Sequence, residues 1–243
     1  MKKWIVAAAL ASLALTAQAA EKIRFAASAT YPPFESLDRE NNLVGFDIDL
    51  AKALCQQMKA ECTFTNNAFD SLIPSLKFRR YDAVISGMDI TTERSKQVDF
   101  TQPYYANSAI VIARKDQFSS FAELKGKRIG VENGTTHQKY LQDKHPEVKV
   151  VAYDSYQNAI LDMKSGRLDG VFGDSAVVNQ WLKTNADLAT VGEHVTDADY
   201  FGTGLGIAVR KGNTALRDQF NQALNELKAN GSWQQLNQKW FPE

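Results

Sequence analysis

Twice along this chain, short apolar runs alternate with amphipathic stretches in the order strand, helix, strand, helix, strand. The first pass begins at Lys22–Ala27. It continues through a helical face of Ile48, Ala51, Leu54, Cys55 and Met58, then a strand at Cys62–Thr65. A short helix with Leu72, Ile73 and Leu76 leads to the run Ala83-Val84-Ile85. The second pass begins at Lys127–Val131, with a helix through Lys144, a strand at Val148–Ala152, a helix at Ser155–Lys164 and a strand at Gly170–Gly173. An apolar run without polar alternation reads as a strand covered on both faces, and this element order demands parallel pairing through helical crossovers. The expected fold is therefore α/β, with two doubly wound lobes. A strand at Ala109–Ala113 follows the Pro103 loop, and the glycine-rich stretch Asp199–Gly206 supplies a flexible return.

Ligands of open α/β sheets bind outside the carboxyl ends of the strands, so the residues after each run carry the functional reading. After Ala83-Val84-Ile85 the chain turns to Ser86, Gly87 and Asp89, then Thr91 and Thr92, then Arg94. Either threonine suits a helix cap. Arg94 is a planar donor fork that grips a carboxylate bidentately. An acid and a base at one mouth suit an ammonium and a carboxylate; the plainer reading is a solvated loop with an incidental ion pair. After the first strand, Tyr31, Pro32, Pro33 and Phe34 make a stiff aromatic loop. Phe34 suits the core better than Tyr31, whose hydroxyl needs a partner. Asp47, near the start of its helix, is placed to cap it. In the second pass, Thr135 and Thr136 stand after the turn Asn133-Gly134, where free amides favour an anion or the threonines simply cap. Asp174 ends the strand Gly170–Gly173, either as a second acid at the mouth or as the cap of the helix starting at Ser175.

The start of the chain is set aside. Lys2 and Lys3, the apolar run Ile5–Leu15 and the small-x-small Ala17-Gln18-Ala19 read as a signal peptide over 1–19, because the run is short for a membrane span. The balance of 28 basic against 28 acidic residues then leaves two excess negative charges. There is no basic stripe to recruit nucleic acid. The cysteines are Cys55 and Cys62. Export favours a disulfide from the end of a helix to the start of the next strand over two buried thiols. His137, His145 and His194 match no metal pattern, and no metal or cofactor is expected.

These motifs occur together in a known group. Tyr31-Pro-Pro-Phe-Glu, Gly45-Phe-Asp-Ile-Asp-Leu, Phe69-Asp-Ser-Leu-Ile-Pro-Ser-Leu, Asp82-Ala-Val-Ile-Ser-Gly-Met-Asp-Ile-Thr, Asn133-Gly-Thr-Thr and Tyr200-Phe-Gly-Thr-Gly-Leu-Gly resemble the periplasmic solute-binding proteins of polar amino-acid ABC importers, family 3, and most of all the arginine-binding branch. The resemblance covers the whole mature chain. It implies a type II periplasmic binding fold: one lobe from 20–108 plus 205–243, another from 109–200, and hinge crossings near 106–112 and 198–206. It implies that Arg94 holds an α-carboxylate with Thr136, that Ser86, Asp89 and Asp174 hold an α-ammonium, and that Tyr31 and Phe69 sandwich the side chain. Gly87 belongs to the same mouth, Asp47 would lie near the end of a basic side chain, and Thr135 and His137 would line the pocket. The family's disulfide maps onto Cys55 and Cys62.

Two departures bear on specificity. Lysine/arginine/ornithine binders carry aspartate where this chain has Ser28, and serine where it has Asp89. The implied function is delivery of L-arginine to an inner-membrane ABC permease by a periplasmic monomer with no direct membrane insertion. A broad cationic amino-acid binder is the alternative. A dehydratase-like enzyme on the same scaffold is a further one, with only His137 and Glu132 as candidate acid–base groups and no nucleophile set beside them.

Overall fold

The structure, a computed structural model, describes residues 20–201 and 203–242; the expected signal peptide over 1–19 lies outside the described residues. The first pass gives β1 (Lys22–Ala27), then a small antiparallel sheet of β2 (Thr30–Tyr31), β3 (Glu35–Leu37) and β4 (Leu43–Val44). Next come α1 (Phe46–Met58), β5 (Glu61–Asn66), α2 (Phe69–Lys77), β6 (Ala83–Val84), the short α3 (Thr92–Ser95) and β7 (Val98–Phe100). The second pass gives β8 (Ala109–Arg114), a 3-10 turn at Phe121–Leu124, β9 (Arg128–Glu132), α4 (Thr136–Lys144), β10 (Lys149–Tyr153), α5 (Tyr156–Lys164), β11 (Gly170–Asp174), α6 (Ser175–Thr184) and β12 (Leu188–Val195). The chain then returns to the first sheet as β13 (Ala208–Arg210) and closes with α7 (Thr214–Ala229) and α8 (Ser232–Trp240).

Two five-stranded sheets result, ordered β5-β1-β6-β13-β7 and β10-β9-β11-β8-β12. In each, three parallel strands built by alternation of strand and helix are continued by antiparallel strands. The antiparallel members are those that enter or leave through the crossings: β13 pairs β6 and β7, and β8 pairs β11 and β12. The crossings themselves run side by side, with Tyr104 N–H donating to the Leu205 carbonyl and Leu205 N–H to that of Tyr105, both at 2.9 Å.

The cores follow the apolar runs. Phe25, Leu50, Leu54, Phe220 and Leu224 fill the space between the first sheet and its helices, and Val111, Ile129, Val131 and Phe172 do so in the second. Cys55 and Cys62 are disulfide-bonded, tying the last turn of α1 to β5. One element departs from the sequence expectation, and β12 is not anticipated by it. The third run is a strand only over Ala83–Val84; Ile85 N–H still bonds the Ala26 carbonyl at 3.1 Å, and the chain then turns into the mouth. β12 carries no clear period: Gly192, Glu193 and His194 interrupt it, and its register against β8 slips between Val191 and Val195. An edge strand tolerates such a bulge.

Candidate functional site

The carboxyl ends of the parallel strands of both sheets meet across one narrow cavity with an open interior of about 10 Å³, about the room of one water molecule. Tyr31 follows β1, Phe69 follows β5 and opens α2, and Gly87 and Asp89 follow β6. From the second sheet, Glu132 ends β9, Thr135, Thr136 and His137 begin α4, Tyr156 begins α5 and Asp174 ends β11. Polar contacts join the two sides. Thr136 Oγ1 donates to Asp89 Oδ2 at 2.6 Å, Thr30 Oγ1 to Glu132 Oε1 at 2.8 Å, and the Asp174 amide to the Tyr31 hydroxyl at 2.9 Å. The Tyr31 ring stacks on Tyr156 with centroids 5.1 Å apart. A wider cleft outside is lined by Asp70, Thr91, Arg94, Gly134 and Lys139.

One part of the site mixes charge signs. Asn107 Nδ2 bridges the carboxylates of Asp89 and Asp174, at 2.6 and 2.7 Å. The His137 ring nitrogen Nε2 lies 2.9 Å from Asp174 Oδ1, but its N–H is not aligned for a hydrogen bond; Nδ1 sits 3.1 Å from the Tyr156 hydroxyl. Asp174 Oδ2 is buried and has no partner among the described residues. Asp89 titrates at about 6, pushed up chiefly by burial and then by Asp174, against the opposing pull of His137 and Arg94. Arg94 sits at the rim. Its guanidinium donates to the carbonyls of Asp89 (2.9 Å) and Gly134 (3.2 Å) and lies 5.5 Å from the Phe69 centroid. With five N–H donors in its fork, it retains donors for a carboxylate.

The other part is acidic throughout. Glu35 is 1% exposed and accepts from Ser86 Oγ at 2.9 Å. Behind it Asp47 accepts from the Gly87 amide at 2.7 Å and from Tyr104 at 2.8 Å. Glu35 Oε2 and Asp47 Oδ1 are both buried without a hydrogen-bond partner among the described residues. Burial, and then Asp47, hold Glu35 well above the usual carboxylate range; burial pushes Asp47 to about 6. Glu132 stands at about 7, raised by burial and by Asp154 and Asp70 while the Thr30 hydroxyl pulls it down.

The structure gathers Tyr31, Phe69, Gly87, Asp89, Thr135, Thr136, His137 and Asp174 around the cavity and leaves Asp47, Ser86 and Arg94 off its inner wall. Asp47 does not cap α1, whose N-cap is Gly45; its carboxylate is spent on Gly87 and Tyr104, one layer behind Glu35. Ser86 likewise serves the framework, accepting from the Ser28 amide at 2.9 Å and donating to Glu35. Thr91, not Thr92, caps α3, and Thr135 caps α4. Asp174 occupies a cap position without capping, since its side chain turns to Asn107 and His137. Glu35 and Tyr156 are not among the expected site residues, and Glu132 is expected only as an acid–base candidate of the enzyme alternative. Glu35 lies in the stiff aromatic loop and Glu132 closes an apolar strand, so both had the positional signal that singled out Asp89 and Asp174.

An acid-lined cavity between two α/β sheets linked by paired crossings is a receptor geometry for a small cation. The profile of the bacterial extracellular solute-binding proteins, family 3, matches residues 23–243. The chain belongs to this family. This family 3 protein is 70% identical over 243 residues to ABC transporter arginine-binding protein 1 of Escherichia coli (strain K12), with 100% of both chains covered. It is 48% identical over 227 residues to the arginine-binding periplasmic protein of Mannheimia haemolytica, covering 93% of each. Among solved structures, a Salmonella typhimurium periplasmic binding protein described for high arginine specificity matches with a TM-score of 0.88 at 56% identity, over 91% of this chain and 100% of that one.

Proposed function

We propose that this family 3 protein is the periplasmic receptor of an ABC importer, binding L-arginine between its lobes and presenting it to an inner-membrane permease. The observation that carries the reading is the charge of the cavity: Glu35, Asp89, Glu132 and Asp174 line it, with Arg94 at the rim. Buried carboxylates without counter-charge are costly, so such a wall favours a ligand that brings positive charge at more than one point. Arginine brings an α-ammonium, a guanidinium and one carboxylate. The α-carboxylate goes to Arg94 and the amides at the start of α4, where an anion is favoured. The α-ammonium goes to Asp89 and Asp174, whose partnerless Oδ2 accepts it. Glu35 and Glu132 face the guanidinium, which lies between the rings of Tyr31 and Phe69 and gains about 2 kcal/mol or more from cation–π attraction when desolvated. In this reading Asp47 acts from behind Glu35, its carboxylate held by the Gly87 amide and the Tyr104 hydroxyl.

The role is binding and release rather than turnover. The lobes, 20–108 plus 205–243 and 109–200, close as bodies about the crossings near 106–112 and 198–206, and a ligand that touches both favours the closed form. The protein acts as a monomer, without inserting in the membrane. Calorimetric titration of refolded protein with arginine, lysine, histidine, glutamine and citrulline tests the proposal. Tight binding of arginine alone is expected. Comparable binding of lysine or histidine would make it a broad cationic receptor, and no binding of any of the five would reject the amino-acid reading.

A further inference from the structure

Resting on the reading that the cavity takes an α-amino acid, we propose that Asn107 is a positioning residue: from the middle of the first crossing its carboxamide holds Asp89 of one lobe and Asp174 of the other at the spacing that an α-ammonium bridges. The crossing is pinned on either side. Before it, Tyr105 pairs with Leu205, which also pairs with Asp89, so this end belongs to the first lobe. After it, Ala109 opens β8 opposite Asp174, and the Ser108 carbonyl accepts the Ser175 amide at 2.8 Å. Ala106, Asn107 and Ser108 lie between, outside any strand pairing. Rotation of one lobe against the other turns the backbone here, and Asn107 is its midpoint.

The chemistry of the contact carries the role. Asp89 and Asp174 line the cavity and are 2% and 1% exposed. The half-buried Asn107 does not line it, so its amide reaches the two acids from outside the ligand space. A carboxamide has two N–H donors on one nitrogen, and Nδ2 donates to Asp89 Oδ1 at 2.6 Å and to Asp174 Oδ1 at 2.7 Å. Turned over, the amide would set its carbonyl against both carboxylates, so the partners fix its orientation. Among the described residues no other side chain donates to both acids: Thr136 reaches Asp89 alone, and His137 lies against Asp174 alone. Burial first, and then Asp174, raises Asp89 to about 6, as two carboxylates forced together require. The amide offsets that repulsion without a charge of its own. A lysine or arginine in its place would neutralise the pair; asparagine leaves the charge for the ligand, with Asp174 Oδ2 still partnerless.

The test is a double-mutant cycle read by calorimetric titration with arginine, using wild type, Asn107→Ala, Asp174→Asn and the double variant. Asn107→Ala should lose about tenfold in affinity. On the Asp174→Asn background, where no second carboxylate remains to be held, the same change should cost less than about threefold. A purely structural role gives equal losses on both backgrounds, and equal losses overturn the proposal. Asn107→Asp keeps the shape and exchanges the donors for acceptors, so it should bind arginine more weakly than Asn107→Ala. Arginine affinity at or above that of wild type in either variant, the gain that a competitor of the ammonium would give on removal, also overturns it. So does failure of both variants to fold, which would make the residue structural. Wild-type protein that fails to bind arginine would instead overturn the functional reading on which this rests.

Discussion

Asp174 ends a strand and precedes a helix, where an aspartate ordinarily accepts the amides of the first turn. Here the carboxylate is turned away, bridged by Asn107 and lying against His137, with Oδ2 partnerless. A side chain that does not cap contributes little to helix stability. Asp174→Asn should accordingly leave the melting temperature within about 2 °C of wild type, while weakening arginine binding by about tenfold or more through loss of a charged acceptor. Thermal scans and titration check both halves; a collapse in melting temperature would restore the capping role. Arg94 makes the complementary case. Two of its donors hold carbonyls on opposite sides of the cleft, so Arg94→Ala removes a link between lobes and, in the proposed reading, the holder of the ligand's carboxylate. About a hundredfold loss of affinity or more is expected, and a variant that retained micromolar binding would exclude Arg94 as the carboxylate holder. Residue types and their place after strands made these two visible in the sequence. Asp47 shows the limit: its position near a helix start implied a cap, and only the fold reveals that Gly87 and Tyr104 claim it.

At the scale of elements, the turn between β9 and α4 decides how closely the lobes approach. Gly134 has φ +77°, and a Cβ there would sit 2.9 Å from the Cβ of Asp70 at the start of α2. Beside it, Asn133 Nδ2 donates to Asp70 Oδ2 at 2.7 Å. A methyl at this point strains the turn by about 1 kcal/mol and wedges α2 away from α4. Gly134→Ala should therefore fold, yet lose about tenfold in arginine affinity and remain more expanded in small-angle scattering at saturating arginine. Wild-type compaction would show that the lobes close without this contact. The Asn133-Gly134 pair is readable as a turn, but the Asp70 that opposes Asn133 on α2 is 63 residues away in the chain and carries no local signal.

Across the whole molecule, buried and surface acids give opposite pH responses. Asp47 and Asp89 stand at about 6 and Glu132 at about 7, each raised first by burial. The folded form thus holds more protons than the unfolded chain between the ordinary carboxylate range and about pH 7, so stability falls as pH rises through that window. Surface acids behave in reverse: the Arg128 hydrogen bond lowers Asp169 and the Arg167 hydrogen bond lowers Asp162, contributions lost only below the usual aspartate range. Without added amino acid, the melting temperature should rise as pH falls from about 7 to about 5. The increment produced by saturating arginine should shrink over the same interval, because the guanidinium then competes with protons. A melting temperature that fell throughout this range would contradict the acid-cavity account.

The sequence by itself determined the two strand–helix alternations, hence the two sheets, and the polar residues that follow each apolar run. These are local consequences of side-chain periodicity and of strand ends that open to a cleft. It also marked Cys55 and Cys62, since an even cysteine count in a chain expected to be exported favours a disulfide. The tertiary structure alone decided which acids face the cavity and which stand behind it. Glu35 and Asp47 are twelve residues apart and equally acidic, and their roles differ only because α1 turns one toward Gly87 and Tyr104 while the aromatic loop delivers the other to the wall. Glu132 acquires its meaning from Thr30, Asp70 and Glu35, all on the other lobe. Burial and neighbouring charge are properties of the assembled fold, and they set each carboxyl's proton affinity.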